Sequence, residues 1–298
     1  MLMPRQAEMQ AKALGEIARS PGYWATVWRR FLRDPVAVGA AVIILAIILV
    51  AIFAPYIAPQ DPYRGMTLRR LRPPGTAGFP LGTDELGRDM LSRLIFGARL
   101  SLFMGVTPVL FALFIGSSIG IAAGYAGGWL NTILMRTIDV LFAFPSVLLA
   151  IALSGALGAG ILNGLISLTV VFIPPIARVA ESVTTSVRSR DYVEAARASG
   201  AGPFTIIRVQ VLGNVMGPIF VYGMSLVAVS MILASGLSFL GLGVKPPEPE
   251  WGLMLNTLRT AIYTQPLLCA LPGLMIFVTS ISFNMLTDGL RSAMDIKA

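Results

Sequence analysis

From Leu100 to Met135 the chain carries no charged residue, and no other feature of the sequence limits its fold as tightly. About 20 helical residues cross a bilayer core of about 30 Å, so this run is too long for one crossing. Gly124-Tyr125-Ala126-Gly127-Gly128 divides it where a tight turn belongs. In lipid a backbone has to satisfy its own hydrogen bonds, which makes helices the expected form of such runs. The apolar stretches predict six spans, over 36–58, 101–124, 130–155, 161–177, Asn214 to Ser235, and Leu267 to Thr287. Pro145 is expected to kink the third, and Pro174-Pro175 to bend the end of the fourth.

With 55% hydrophobic and 13% charged residues and a mean hydropathy of +0.76, the chain lacks the polar surface that a soluble globule of 298 residues needs. Its formal charge of +8 reads as loop arginines that orient spans, and no nucleic-acid partner is expected. The chain has no histidine, which removes His-based acid–base chemistry, Ser-His-Asp triads and the commonest metal ligand. Cys269 has no partner for an intrachain disulfide. None of the three lysines, Lys12, Lys245 and Lys297, follows the glycine of a Gly-Lys-Ser/Thr phosphate loop. No catalytic or metal site is therefore expected, and if ATP drives this chain, another subunit binds it.

Residues 1–35 form a polar tail with Arg5, Lys12, Arg19, Arg29, Arg30 and Arg33. The long tail and the poor cleavage site at Ala58-Pro59 argue against a signal peptide, so 36–58 is taken as an uncleaved span. Residues 59–99 make a Pro- and Arg-rich loop ending in an amphipathic stretch over 81–102. There Leu86, Met90, Leu94 and Ile95 recur at helical spacing, with Arg88, Asp89, Ser92 and Arg93 facing elsewhere. This suits an interfacial helix and equally an ordinary packing helix. Asp139 lies one turn from Arg136, where the two can pair. The Pro-rich stretch 246–252 is expected outside the lipid.

One polar insert stands between apolar runs, RSRDYVEAARASGAGPFTIIRVQVLGN over Arg188 to Asn214. Asp191 and Glu194 make a capping-box variant, Gly200 suits a helix C-terminus, and Gly202-Pro203 suits a second start. The expected form is helix, tight turn, helix, with so little side-chain bulk around the turn that another backbone can approach. Three readings fit: a docking surface, a solvated loop whose arginines hold it in the cytosol, and a DNA-binding helix-turn-helix built on Arg188, Arg190, Arg197 and Arg208.

Glu194-Ala195-Ala196, three residues and then Gly200 resembles the EAA motif of ATP-binding-cassette importer permeases, in which this loop forms a coupling helix seated on the ATPase. That family continues with Leu-Pro, where this chain has Leu212-Gly213. LGTDELGRDMLSR (81–93), SFLGLG (238–243), PPEPEWG (246–252) and DGLRSAMD (288–295) resemble the peptide and nickel subgroup at the same order and spacing, over roughly residues 30–295. The resemblance is to the second permease subunit of dipeptide, oligopeptide, glutathione or nickel systems.

It implies an all-α polytopic membrane protein of the bacterial inner membrane, with six transmembrane helices, a cytoplasmic coupling helix and both termini cytoplasmic. The implied division is a tail (1–35), a first span (36–58), a periplasmic loop (59–99), a permease domain (100–290) containing the coupling loop 188–214, and a tail (291–298). Glu194, Ala195, Ala196, Arg197 and Gly200 would form the ATPase-docking surface. The implied partners are a second homologous permease, two ATPase subunits that bind ATP and Mg, and a periplasmic substrate-binding protein. One conflict stands: the 59–99 loop carries Arg64, Arg69, Arg70, Arg72, Arg88, Arg93 and Arg99, which a charge count places inside. A self-sufficient channel or secondary transporter would need coupling carboxylates or broken helices at the midplane, and a membrane enzyme would need convergent titratable groups.

Overall fold

The computed structural model describes residues 23–294; the tail through residue 22, with Arg5, Lys12 and Arg19, and residues 295–298 lie outside the described residues. Every regular element among the described residues is a helix. Helix α1 (Tyr23–Phe31) precedes α2 (Pro35–Ile52), which starts where Asp34 accepts the Val36 and Ala37 N–H groups at 3.0 and 3.2 Å. Phe53 breaks it before a single turn, α3 (Ala54–Ile57).

After an irregular segment, Asp89 caps α4 (Met90–Ala126) by accepting the Ser92 N–H at 2.8 Å. No separate interfacial helix forms over 81–102. Its second half enters a helix of 37 residues, which the Asp89 cap starts at Met90 and which runs through Pro108 without ending.

The third expected span is broken, not kinked: α5 (Gly128–Phe142) and α6 (Ser146–Leu157) meet at 84°. Pro145 gives no N–H to a helix and disfavours helical geometry at Phe144 before it. Pro174 and Pro175 behave differently, since α7 (Ile161–Arg188) runs through both without ending. Arg178 and Glu181 therefore sit on this helix, beyond its two prolines. The remaining helices are α8 (Asp191–Ala198), α9 (Pro203–Ile206), α10 (Leu212–Phe239), α11 (Trp251–Leu258) and α12 (Pro266–Met294). Among the described residues five helices are long and apolar enough to cross a membrane, and the bent pair makes six if it is one broken span.

Among the described residues helices α4 and α7 share the most extensive contact. Gly116, Gly120 and Gly124 recur every four residues on α4 and lie against Ile173, Ala177, Ala180, Glu181 and Thr184 of α7. A methyl at Gly124 would come within 2.7 Å of the Glu181 carbonyl oxygen, so the backbones touch where a side chain would stand. Small residues at this spacing let membrane helices approach that closely. Helix α10 packs on α4, α7 and α12, and α12 packs on α2, where Gly289 meets Ala37.

A buried polar network holds the loops to the start of α4. Arg88, Asp89, Ser92 and Arg93, expected to face away from the packed side, are all buried, with Arg93 at 2% exposure. Asp84 accepts from Arg88 Nε at 2.6 Å and lies 3.2 Å from Arg93 Nε, an ion pair without hydrogen-bond geometry. The Arg93 guanidinium donates to the carbonyls of Pro62 (3.0 Å), Pro247 (3.3 Å) and Glu248 (3.4 Å), tying together loops far apart in sequence. Burial, and Asp84 beside it, push the Glu85 carboxyl above its ordinary value.

The 246–252 stretch packs inward at its end. Glu250, 1% exposed, caps α11 through the N–H groups of Gly252 and Leu253, both at 2.8 Å, and accepts from Ser101 Oγ at 3.2 Å. Burial raises its pKa against the lowering effect of these bonds and of Ser238. Trp251 donates its indole N–H to the Leu94 carbonyl at 3.0 Å. Gly97 permits this contact, since a methyl there would lie 2.5 Å from the Pro249 carbonyl oxygen.

Candidate functional site

The polar insert begins as a short helix, α8, just beyond the end of α7. Only Ser189 and Arg190 separate the two helices. The expected capping role of Asp191 is not found: Arg190 holds the N-cap position without a side-chain bond, and Asp191 is already helical. Asp191 and Glu194 still favour this helix, because both stand in its first turn at the positive end of the dipole.

The C-terminus follows the sequence expectation. Gly200 has φ of +82°, its N–H bonds the Arg197 carbonyl at 3.0 Å, and the Ala201 N–H bonds the Ala196 carbonyl at 3.1 Å. This is a Schellman ending, which a left-handed glycine closes. Pro203 at the first position then starts α9, but the second helix of the elbow does not end near Leu212-Gly213. A π-helical turn at Ile207–Val211 joins it directly to α10, so the elbow continues into a span.

Val193 anchors the elbow. It is fully buried and belongs to the main apolar cluster with Ile206 and Val211, while Ala196 and Ala201 pack against that cluster. Glu194, Ala195, Arg197 and Gly200 are exposed, and Ala196 is half-buried. A methyl at Gly200 would meet no heavy atom within 4 Å. Beside them Phe204 is 77% and Val209 62% exposed, residues that the reading of the motif passed over. Apolar side chains within a polar insert were the available signal. Together these residues make a small-residue ledge flanked by exposed apolar groups and by Arg197 and Arg208.

Charged groups along α5 and α7 lead toward this elbow. Asp139 does not pair with Arg136; it pairs with Arg178, because α7 continues past its prolines and carries that guanidinium to α5. One turn on, Glu181 accepts from Asn131 Nδ2 at 2.8 Å. Among the described residues no group of three His, Cys, Asp or Glu side chains is placed to hold a metal.

Comparison with known proteins agrees with this architecture. A family model described as binding-protein-dependent transport system inner membrane component matches residues 116–297. A second, the N-terminal TM domain of oligopeptide transport permease C, matches residues 22–74. The chain is 42% identical over 274 residues to a glutathione transport system permease protein GsiD of Pectobacterium atrosepticum, covering 92% of this chain and 91% of that protein. It is 41% identical over 275 residues to a di/tripeptide transport system permease protein DppC of Pseudomonas aeruginosa, covering 91% of each. Among solved structures, an inward-facing MetNI methionine ABC transporter chain matches with a TM-score of 0.56 at 18% identity. That match covers 68% of this chain and 97% of the other, and it bears on the fold alone.

As a subunit of this kind the chain carries no cofactor, and ATP hydrolysis lies in separate subunits. With a family model matching well over half of it and relatives above 40% identity along nearly its whole length, the chain belongs to the binding-protein-dependent transport system inner membrane components, as an oligopeptide-permease-C-type permease of an ATP-binding-cassette importer.

Proposed function

We propose that this permease imports glutathione or di- and tripeptides, forming half of a translocation path with a second, homologous permease. Of the two ATPase subunits in the complex, one docks on its elbow, through Glu194, Ala195, Ala196, Arg197 and Gly200, and a periplasmic binding protein delivers the substrate. The names of the relatives support the substrate class. The observation that carries the coupling role is the elbow itself: a buried anchor at Val193, a bare Schellman turn and an exposed apolar rim at the end of α7.

The coupling role is tested by purifying the complex through a tag on this chain. Gly200→Val is strained by about 1–2 kcal/mol at its positive φ and adds bulk at the docking ledge. Glu194→Lys reverses an exposed charge. Each is expected to weaken ATPase attachment by about 2 kcal/mol, roughly thirtyfold, while the second permease stays bound. Lys245→Gln, an exposed residue on another loop, serves as the control. Wild-type ATPase retention by both elbow variants would remove the coupling role.

The proposed topology places both termini in the cytosol and the 58–89 segment outside. A cysteine at the exposed Ala77, in a Cys269→Ser background, is then expected to react with an impermeant thiol reagent on intact spheroplasts. Labelling only after lysis reverses the orientation.

A further inference from the structure

An apolar groove of about 260 Å³ opens between α2, α4 and α12. Its walls are Ala46, Ile47 and Val50 near the end of α2, Leu94 and Ile95 in the first turns of α4, and Leu271 and Leu274 near the start of α12. All three helices reach the same membrane face there. The segment linking α3 to α4 closes that end, with Leu81 reaching into the groove lining.

Above Leu81 the same segment turns basic. Arg72 pairs with Thr83, two residues from Leu81: the Thr83 N–H bonds the Arg72 carbonyl at 3.1 Å, and the Arg72 N–H bonds Thr83 Oγ1 at 2.9 Å. A methyl on Gly82 would touch both the Arg72 carbonyl and, at 3.1 Å, Leu268 at the head of α12. Arg69, Arg70 and Arg72 are all exposed, and among the described residues no carboxylate lies within ion-pair distance of them. Arg69 instead lies over the Phe79 ring, 5.7 Å from its centroid. An apolar groove between three candidate spans is therefore closed by a segment that carries three exposed arginines, none in an ion pair among the described residues.

We propose that this groove holds an anionic phospholipid, its acyl chain between α2, α4 and α12 and its phosphate at Arg70 and Arg72. Charge complementarity selects this occupant over a zwitterionic lipid, and apolar walls beneath basic residues select it over a soluble anion. The site also gives the arginines of this segment a partner at a membrane face where orientation rules leave them unexplained.

The test uses the intact complex and native mass spectrometry, titrating phosphatidylglycerol against phosphatidylcholine of the same acyl chains. Each arginine near a membrane surface changes affinity for anionic lipid roughly fivefold, so wild type is expected to prefer phosphatidylglycerol by roughly 25-fold. Arg70→Gln with Arg72→Gln should abolish that preference. Ala46→Trp, at an exposed groove position, should weaken retention of both lipids. Equal binding of the two lipids by wild type overturns the proposal, as does an unchanged preference in the arginine pair variant. Full retention by Ala46→Trp also overturns it, because attraction would then need no groove. So does cross-linking of Ala46→Cys to another protein chain, which would make the groove a subunit interface.

Discussion

Replacing Gly120 by leucine is expected to prevent the folded protein from accumulating. Its first added carbon would strike the Ala177 carbonyl oxygen and lie 2.6 Å from Ala180 Cβ and 2.8 Å from the Glu181 nitrogen. Two of these are backbone atoms, so rotamer changes give no relief, and α4 and α7 have to separate along the whole glycine stripe. Overpacking that a core can absorb costs about 1–3 kcal/mol; here roughly 3 kcal/mol or more is expected, a large share of a typical total of about 5–15 kcal/mol. Gly39→Ala and Gly236→Ala, where a methyl meets nothing within 4 Å, should stay within about 0.5 kcal/mol of wild type. Thermal unfolding of the detergent-solubilised protein and its yield in membranes report the effect. A Gly120→Leu protein with wild-type yield and unfolding temperature would show that the contact is not tight.

Arg93→Met is expected to cost about 3–5 kcal/mol, the range for removing one partner of a buried charged pair. Methionine fills similar space but leaves the carbonyls of Pro62, Pro247 and Glu248 without their donor. Asp84 keeps Arg88, so the damage falls chiefly on the join between the 58–89 and 246–250 segments. Limited proteolysis should then cut these segments faster, with a matching loss of thermal stability. Arg64→Gln breaks only an exposed pair with Asp61 at 3.6 Å and should change little, within about 1 kcal/mol. Equal proteolysis of the Arg93 variant and wild type would mean that other contacts hold the two segments together.

The helical class and the elbow were legible because their signals are local. Uncharged length predicts a span without reference to neighbours, and Gly200 and Pro203 carry their backbone preferences with them. What was hidden depends on partners distant in sequence. Arg93 reads as part of an outward polar face because its acceptors are carbonyls at residues 62, 247 and 248. Asp139 was matched to the nearest arginine on its own helix, while its partner stands 39 residues away on α7. The two prolines of α7 and the single Pro145 carry similar local signals and have opposite outcomes. Packing of α7 on α4 holds one helix together where α5 and α6 part.

The glycine stripe has a mechanical consequence. Backbones in direct contact resist sliding, so α4 and α7 are expected to move together as one blade along the stripe. At 1.5 Å per residue the 28 residues of α7 span about 42 Å, and tilting such a rod by about 5° carries its far end through about 4 Å. The elbow is joined to one end of this blade, and the Arg93 cluster sits where α4 begins at the other. In the coupling role proposed above, a push on α8 would travel along this blade, and the 84° break between α5 and α6 would supply the compliance.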